Sequence, residues 1–281
     1  MIRPQPLSVP GASALLYRDA PQWDNQRTAA LGSIAFEDRD AGLRLIADTV
    51  ASLRAEGFAA LVGPMDGDTW HSYRLVSESD GSAPFLLEPR SGPHDHAIFS
   101  AAGFTPISRY VSSRGRLADA VEPTPFTLPG VTVTAWDGEG AERLIGQLFQ
   151  MSGAAFAGNR FFKPITLEGF LELYRPLLPL LDPRHILFAR GPEQQLVGFL
   201  FGMPDRLGGA QPAAILKTYA SGLRGVGRLL ADTYHRRAIE LGFTEVIHAL
   251  MHEDNVSRER SAMHRAEVFR RYALMGKRLD R

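Results

Sequence analysis

The sequence contains no cysteine among its 281 residues. Disulfide bonds, thiolate zinc sites, iron–sulfur clusters and cysteine nucleophiles are therefore excluded. Net charge is also missing, because 31 Lys and Arg residues balance 31 Asp and Glu residues. Without a global field to attract nucleic acid or an anionic membrane, we expect neither as a partner.

Long apolar runs and a targeting segment are missing as well. No stretch approaches the roughly 18 apolar residues of a membrane-spanning helix, and the apolar residues near the amino terminus are scattered. We therefore expect a cytoplasmic protein. Hydrophobic residues at 44% and charged residues at 22% are near the averages for globular proteins, so the chain should fold around a sizeable core.

The clearest break in the pattern lies between Arg114 and Gly130. Pro123, Pro125 and Pro129 favour an extended connector over a helix there. We predict a first lobe at residues 1–115, a linker at 116–130 and a second domain at 131–281.

Apolar spacing predicts alternating strands and helices in both parts. In the first lobe they are a strand at Gly32–Asp38, a helix at Ala41–Glu56, a strand at Phe58–Met65, a helix near Ala97–Ala102 and a strand at Ile107–Ser112. In the second they are helices at Glu139–Phe156 and Leu167–Leu178, a hairpin of His185–Arg190 and Leu196–Met203, a strand at Ala213–Ala220, a helix at Val226–Leu241, a strand at Thr244–Met251, a helix at Ser257–Arg265 and a strand at Val268–Met275.

The two parts of the chain repeat the same order of predicted elements. Each part consists of a strand, a helix, a Gly-Phe pair, a strand, a short helix and a last strand that contains an Arg-Tyr pair. These pairs are Gly57-Phe58 and Arg109-Tyr110 in the first part, and Gly242-Phe243 and Arg271-Tyr272 in the second. Coincidence is the alternative, since glycine before an aromatic residue is common after a helix. We favour duplication, and we predict an α/β fold with a mixed, mostly antiparallel sheet flanked by helices, in two similar lobes.

The most specific local signal is a glycine loop between a strand and a helix. Residues Gly222-Leu223-Arg224-Gly225-Val226-Gly227 lead into the helix, and Arg228 follows. Backbone N–H groups of such a loop converge on an anion at the helix amino terminus, and Arg224 and Arg228 add positive charge. The pattern indicates a phosphate site, with a plain glycine-rich turn as the alternative.

Two other phosphate motifs do not fit. A dinucleotide fingerprint would need a third glycine at Leu230, and the hairpin before the loop indicates a mixed sheet. The sequence also has no G-x-x-x-x-G-K-S/T, so nucleotide hydrolysis loses its main support.

The glycine loop resembles the Gln/Arg-x-x-Gly-x-Gly/Ala loop of the GCN5-related N-acetyltransferases, which grips the pyrophosphate of acetyl-CoA. Gly225 and Gly227 match its two glycines, and Gly222 stands where the family has Gln or Arg. The resemblance covers about Val131–Leu279 and implies the acyl-CoA N-acyltransferase fold with acetyl-CoA as the acyl donor.

Residues Gly32–Ser113 look like a partial second lobe of the same kind. There Asp38-Arg39-Asp40-Ala41-Gly42 occupies the position of the loop. Because acids stand where phosphate would bind, the resemblance implies that the first lobe binds no CoA.

The resemblance also implies a binding mode for the donor. The strands at Ile215–Tyr219 and Glu245–Met251 would splay apart so that the pantetheine arm inserts between them, along the backbone of Leu216 and Thr218. Backbone N–H groups near Thr218 would polarise the thioester carbonyl. Asn255 and Ser257 match the position of polar side chains on the pantetheine arm or the leaving sulfur.

A general base should come from strand ends that face the cleft, which makes His248, His252 and Glu253 candidates, with Ser257 beside them. A structural or surface role is the alternative for each histidine. His248 and His252 are four residues apart, which on a strand is about 13 Å and excludes a shared metal ion, so we expect no metal.

The family's usual general acid is a tyrosine, and its position here is Ala262. Candidates to replace it are Ser257, His264 and Tyr272. Acceptor specificity in the family comes from the first helices and their connection, which points to Asn159, Arg160 and Phe161. These could bind a small polar or carboxylate-bearing acceptor with Arg160 as its anchor, although the aromatic residues there could equally be core.

The resemblance therefore implies an N-acetyltransferase that moves acetyl from acetyl-CoA to a primary amine of a small molecule or peptide by direct attack. We expect a monomer or homodimer. The alternative is a degenerate acyl-CoA-binding or regulatory protein that keeps the fold without the chemistry.

Overall fold

The computed structural model describes residues 3–207, 212–263 and 265–279, and their twelve strands form one sheet. Eleven strands run in the order β1-β2-β3-β4-β12-β6-β11-β10-β9-β8-β7, and β5 pairs with β12 beside this path. Only β3–β4 and β10–β11 pair in parallel. The predicted mixed, mostly antiparallel sheet is confirmed.

The amino-terminal half carries the first six strands and two helices. Their bounds are β1 Gln5–Val9, β2 Ala12–Tyr17, β3 Thr28–Phe36, α1 Arg39–Ala55, β4 Ala60–Gly63, β5 Leu75–Ser79, α2 Asp95–Ala101 and β6 Thr105–Arg116. A 3₁₀ turn at Leu117–Asp119 then begins the connection to the second half.

The carboxyl-terminal half repeats this order, without a counterpart of β5, after an added strand and two added helices. Its bounds are β7 Thr132–Ala135, α3 Ala141–Phe156, α4 Leu167–Tyr174, β8 Ile186–Arg190, β9 Leu196–Pro204, β10 Ala213–Ser221, α5 Val226–Glu240, β11 Glu245–His252, α6 Val256–Met263 and β12 Glu267–Arg278. No helix in the described ranges is long and apolar enough to cross a membrane.

Sequence spacing located the strongly periodic elements and missed four strands. The helix predicted at Ala41–Glu56 is α1, and the hairpin around residues 191–194 joins β8 to β9. The strand predicted at Gly32–Asp38 instead begins at Thr28 and ends at Phe36, because Asp38 caps α1. The four strands that were not predicted are β1, β2, β5 and β7. All but β2 lie at the margins of the sheet, where little burial leaves only a weak alternation of apolar and polar residues in the sequence.

The last strands of the two halves lie side by side and are exchanged. Strand β6 of the amino-terminal half pairs with β11, and β12 of the carboxyl-terminal half pairs with β4 and β5. Strands β6 and β12 also pair with each other, with Tyr110 opposite Tyr272. These two tyrosines belong to the repeated Arg-Tyr pair. The pseudo-twofold axis that relates the two halves therefore passes near them.

The hydrophobic core follows this exchange. Leu274, on β12, is fully buried in a cluster with Trp23, Val62 and Met65 of the amino-terminal half. Each half therefore has apolar contacts that the other half completes. The predicted division at residues 116–130 stays a prediction about domains.

Candidate functional site

Strands β10 and β11 separate halfway along their length. They pair in parallel from Ala213–Leu216 with Glu245–His248, and the pairing ends there. Beyond that point both strands line a cavity of about 1640 Å³. The predicted opening between these strands is present at the predicted place.

A β-bulge marks the point where the strands separate. Residues Leu216 and Thr218 of β10 pair with the consecutive residues Gly202 and Phe201 of β9, which leaves Lys217 as the extra residue. A bulge disrupts the ladder locally and re-aims backbone and side-chain groups. Leu216, Lys217 and Thr218 all line the cavity, and beyond Leu216 the edge of β10 toward β11 has no strand partner.

Helix α5 presents an uncapped amino terminus beside this opening. Its N-cap residue Gly225 has φ of 90°, a left-handed conformation that favours glycine, and no side chain caps the helix. The first turn contains no acidic residue. Because first-turn N–H groups have no intrahelical acceptor, those of Gly227 and Arg228 are suited to an anion.

The remaining loop residues divide between packing and exposure. Val226 is fully buried and Gly227 is buried, whereas Leu223 is 48% exposed and Arg224 and Arg228 are exposed. The Gly222 amide donates to the Val197 carbonyl at 3.0 Å, which ties the loop to β9. The two arginines thus lie at the surface around the helix terminus.

The connection between the halves packs along α5. The Phe126 amide donates to the Asp232 carboxylate at 3.1 Å, and the Arg228 guanidinium lies 4.3 Å from the centre of the Phe126 ring. Leu128 approaches Gly225 so closely that a Cβ there would lie 3.5 Å from its methyl group. Residues 122–130 therefore form one wall beside the glycine loop.

The equivalent opening in the amino-terminal half is filled by the chain itself. Strands β3 and β4 pair only from Thr28–Ala30 with Ala60–Val62. Past this point the Met65 amide donates to the Leu31 carbonyl at 2.9 Å, and the Asp66 carboxylate accepts from the Ser33 amide at 2.5 Å. A Cβ on Gly32 would lie 2.4 Å from the Met65 carbonyl oxygen, so no space remains for a ligand.

The helix terminus in that half is occupied as well. The Asp38 carboxylate accepts from the Ala41 amide at 2.7 Å and caps α1. The amides of Glu37 and Asp38 both donate to the Gly11 carbonyl. The Ala41 amide, whose counterpart in α5 is the amide of Arg228, therefore already has an acceptor inside the protein. That this half binds no CoA stays a prediction.

His248 lies in a buried chain of hydrogen bonds. Its Nε2 lies 3.0 Å from His235 Nε2, and its Nδ1 lies 2.7 Å from the Ser261 hydroxyl, which is 2.5 Å from the Ser113 hydroxyl. His248 is 6% exposed and borders the cavity. The chain joins α5, β11, α6 and β6, so His248 also has a structural role.

The other predicted polar residues lie around the end of β11. Asn255 and Ser257 border the cavity, and the Asn255 side-chain oxygen accepts from the Ser257 amide at 3.1 Å. Glu253 does not border the cavity, and its carboxylate pairs with Arg271 at 3.2 Å. His252 does border it, with Nε2 at 3.1 Å from the Ser108 hydroxyl.

The candidates for a general acid are placed differently. Tyr272 is buried, its hydroxyl donates to Glu88, and burial raises the pKa of the phenol above its ordinary value. Ala262 is exposed in the last turn of α6. His264 lies outside the described residues. Tyr272 therefore has a hydrogen-bond acceptor inside the protein instead of facing the opening.

Of the predicted acceptor residues, only Asn159 lines the cavity. Arg160 donates to the Ile107 carbonyl at 2.9 Å and to the Asp24 carboxylate at 3.2 Å. Phe161 is 5% exposed and packs in the cluster around Trp23. The connection after α3 thus directs Arg160 and Phe161 onto the amino-terminal half.

An aromatic wall forms the cavity on the α3 and α4 side. The Trp70 ring centre lies 6.4 Å from that of Phe156, 5.8 Å from Phe162 and 5.5 Å from Phe170, and the Phe170 and Tyr174 centres lie 4.4 Å apart. All five rings line the cavity. Sequence reasoning missed Trp70 because residues 66–95 form a polar insertion, with glycine and proline, in which no apolar spacing predicts a helix or a strand.

Two cationic side chains of the cavity were also missed. Arg74 comes from the same insertion, and Lys217 from the bulge of β10. Neither residue belongs to a recognisable motif. The only sequence signal that could have pointed to Lys217 was its position as a lysine within an apolar strand. Among the described residues, no three His, Asp or Glu side chains converge to hold a metal ion.

Comparison with solved structures identifies the fold. The chain is similar to a tandem GNAT protein from the clavulanic acid biosynthesis pathway, with TM-score 0.56 and 16% identity over 96% of this chain and 79% of that one. It is similar to a GCN5-related N-acetyltransferase from Sphaerobacter thermophilus, with TM-score 0.54 and 16% identity over 96% and 77% of the chains. One from Anabaena variabilis gives TM-score 0.52 and 10% identity over 95% and 60%.

The protein therefore has the fold of the GCN5-related N-acetyltransferases in a tandem arrangement of two lobes. This confirms the resemblance that the glycine loop indicated. The sequence matches no protein-family model and no curated protein.

Proposed function

We propose that this protein is an acyltransferase that moves an acyl group, acetyl in the first instance, from acyl-CoA to a primary amine. The observation that carries the proposal is the contrast between the two halves. The opening between β10 and β11 leads into a large cavity beside an uncapped helix, whereas its counterpart between β3 and β4 is filled by Met65 and Asp66. Only one half has kept space for a donor.

The residues around this opening fit the parts of acyl-CoA. The pyrophosphate would bind at residues 222–228, where the first-turn amides of α5 and the exposed Arg224 and Arg228 supply donors and positive charge. The pantetheine arm would extend along Leu216 and Thr218, and Asn255 could donate to it from the other side.

The reaction needs orientation and a place for negative charge. The amine nitrogen attacks the thioester carbonyl carbon, and the carbon–sulfur bond breaks as the amide forms. Backbone N–H groups at the bulge of β10 would stabilise the oxyanion that develops on the carbonyl oxygen. The proton of the attacking amine needs an acceptor, and His252 at the cavity wall is the candidate we favour over Glu253, which pairs with Arg271.

The proposal is tested by thiol release from acetyl-CoA with a panel of amines, amino acids and aminoglycosides. We expect turnover with at least one class of amine. Saturable acetyl-CoA binding without turnover of any amine would favour the regulatory alternative. Absence of both binding and turnover would overturn the proposal.

Variants of the glycine loop link that activity to the site. Because Gly227 is buried, Gly227→Glu could disturb folding, so charge reversal at the exposed Arg224 provides a second variant. We expect both to weaken acetyl-CoA binding in calorimetry. Gly153→Glu is the control, since an added side chain there meets open space on α3.

A further inference from the structure

The cavity contains a buried guanidinium that lacks a carboxylate partner. Arg74 is 8% exposed and lies between the rings of Tyr73 and Tyr110, 3.9 Å from each ring centre. Its Nη1 donates to the Leu250 carbonyl at 3.4 Å, and its buried Nε has no hydrogen-bond partner among the described residues. The remaining guanidinium nitrogen, Nη2, has no hydrogen-bond partner among the described residues and is not buried like Nε, so it is the donor left for the cavity that Arg74 lines.

Lys217 adds a second cation to the same wall. Its Nζ donates to the Leu87 carbonyl at 2.9 Å. Burial is the main cause that lowers the pKa of Lys217 to about 7, and the positive charge of Arg74 is the second. The negative charge of Glu88 acts in the opposite direction and raises this pKa. In the part of the chain that the structure describes, neither Arg74 nor Lys217 forms an ion pair with a carboxylate.

Glu88 is a buried carboxylate that also lines the cavity, and it already has partners. Glu88 pairs with Arg270 at 3.0 Å and also accepts hydrogen bonds from Tyr272 and from the Phe85 amide. Its charge is therefore balanced mainly by Arg270. Arg74, together with Lys217 when it is protonated, therefore leaves this region of the cavity positive. A buried charge such as that of Arg74 is costly without an anionic partner.

The backbone around these cations is held in an uncommon conformation. Arg74 has φ of 72°, Leu87 has φ of 61° and Leu250 has φ of 58°, all in the left-handed region that non-glycine residues seldom adopt. Leu87 and Leu250 supply the carbonyl groups that bind Lys217 and Arg74. Strain of this kind persists where the surrounding structure fixes a site.

The aromatic wall belongs to the same compartment. Trp70 and Phe170 pack in one hydrophobic cluster with Phe85 and Leu86, which directly precede the Leu87 carbonyl that binds Lys217. Tyr73 and Tyr110, whose rings contact Arg74, line the same cavity as Trp70 and Phe170. A ligand that reaches Arg74 would therefore have aromatic rings in the same cavity. The exposed Arg224 and Arg228 lie at the other end, around the helix terminus proposed for the pyrophosphate.

We propose that the amine acceptor is an amino acid with an aromatic side chain, whose carboxylate binds Arg74 and Lys217 and whose ring lies against the wall around Trp70. This inference rests on the proposed function. It replaces Arg160 with Arg74 and Lys217 as the anchor. Because Lys217 is also the bulge residue of β10, its side chain would hold the carboxylate near the backbone proposed to bind the thioester carbonyl.

The first experiment compares ligands that differ by one group. Binding of L-phenylalanine, L-tyrosine and L-tryptophan is measured by calorimetry against phenethylamine, tyramine and tryptamine, and thiol release from acetyl-CoA is measured with the same pairs. We expect each amino acid to exceed its decarboxylated amine by at least about 10²-fold in affinity or kcat/KM, because removal of the carboxylate leaves Arg74 and Lys217 without an anionic partner. Glycine should bind less tightly than L-phenylalanine because it lacks the ring.

The second experiment changes the anchor. Arg74→Gln should reduce L-phenylalanine affinity and leave both phenethylamine and acetyl-CoA affinity unchanged, and Arg74→Lys should retain part of the preference. Lys217→Met should act in the same direction. Arg44→Gln on the exposed face of α1 is the charge-matched control and should change none of these values.

The outcomes separate this inference from the proposed function. Equal affinity for L-phenylalanine and phenethylamine in the unaltered protein would overturn the carboxylate anchor, and this comparison needs no folded variant. Equal affinity for glycine would overturn the aromatic subsite. Loss of acetyl-CoA affinity in Arg74→Gln would assign the cations to the donor and overturn the inference. Amino-acid binding without turnover would keep the anchor and reject the acyltransferase.

Discussion

Leu274→Ala should destabilise both halves of the protein equally. Leu274 comes from the carboxyl-terminal strand β12 but is fully buried among Trp23, Ala30 and Val62 of the amino-terminal half. In a sheet whose last strands are exchanged, neither half can lose this strand and keep its neighbours. We therefore expect one cooperative unfolding transition instead of two.

The magnitude follows from the burial of the side chain. Truncation of a fully buried leucine to alanine costs about 2–5 kcal/mol through lost burial and the cavity that remains. With a denaturant dependence of about 3 kcal/mol per M of urea, the midpoint should fall by roughly 1 M. That loss is a substantial share of the roughly 5–15 kcal/mol that stabilises a folded protein.

The three tryptophans allow each half to be observed separately. Trp23 is 9% exposed in the amino-terminal core, and Trp136 packs against the carboxyl-terminal cluster around Phe188. Urea unfolding is followed by fluorescence in two backgrounds, one that retains only Trp23 and one that retains only Trp136. Leu274→Ala should shift both midpoints by the same amount, and Ile239→Ala, at a position 41% exposed, should shift neither substantially. A shift of the Trp23 midpoint alone would refute the argument and show that the halves unfold independently.

Three further predictions concern the site. Acetyl-CoA should bind the whole chain with a stoichiometry of one in calorimetry, because in the amino-terminal half Asp38 and Asp66 already accept hydrogen bonds from the backbone amides of Ala41 and Ser33. A second binding site would contradict this prediction. The affinity for an aromatic amino acid, corrected for the protonation of its amine, should fall as the pH rises through about 7, because Lys217, which faces Arg74 and Glu88, loses the proton that binds a carboxylate. A flat profile would contradict that prediction, and Lys217→Arg should remove the dependence. Ser257→Ala and Tyr272→Phe should each lower kcat by less than about 10⁴-fold, because a thiol leaves with little protonation; a larger loss with folding and binding intact would identify a general acid.

The sequence predicted those features that depend on neighbouring residues. Helix α1 has a regular apolar face from Leu45 to Leu53, and the glycine loop before α5 follows a short motif with a direct physical meaning. Both were located within one or two residues. The repeated Arg-Tyr pair indicated duplication, and the fold comparison confirms a tandem arrangement.

The exchange of β6 and β12 could not be predicted in the same way. The alternation of apolar and polar residues in each strand is the same whichever neighbour the strand pairs with. Local periodicity therefore does not show whether β12 pairs with β4 or with β11. The acceptor side was missed for a related reason. Trp70 and Arg74 lie in a segment without periodicity, and their contacts with α4 and β11 depend on the packing of one half against the other.

The amino-terminal half contributes to the cavity although its own strands β3 and β4 leave no opening. Asp38 and Asp66 close the amino-terminal helix terminus and cleft with hydrogen bonds that a bound donor would otherwise make. The same half supplies Trp70, Arg74 and Tyr110 to the cavity of its partner, and its last strand β6 lies directly beside β11. Under the proposed function the cavity does not need a second donor site in the amino-terminal half, but it does need residues 66–95, which supply Trp70 to the aromatic wall and Arg74 as one of the two cations. On this argument the two halves divide the proposed reaction, with the carboxyl-terminal half holding the acyl donor and the amino-terminal half shaping the place of the acceptor.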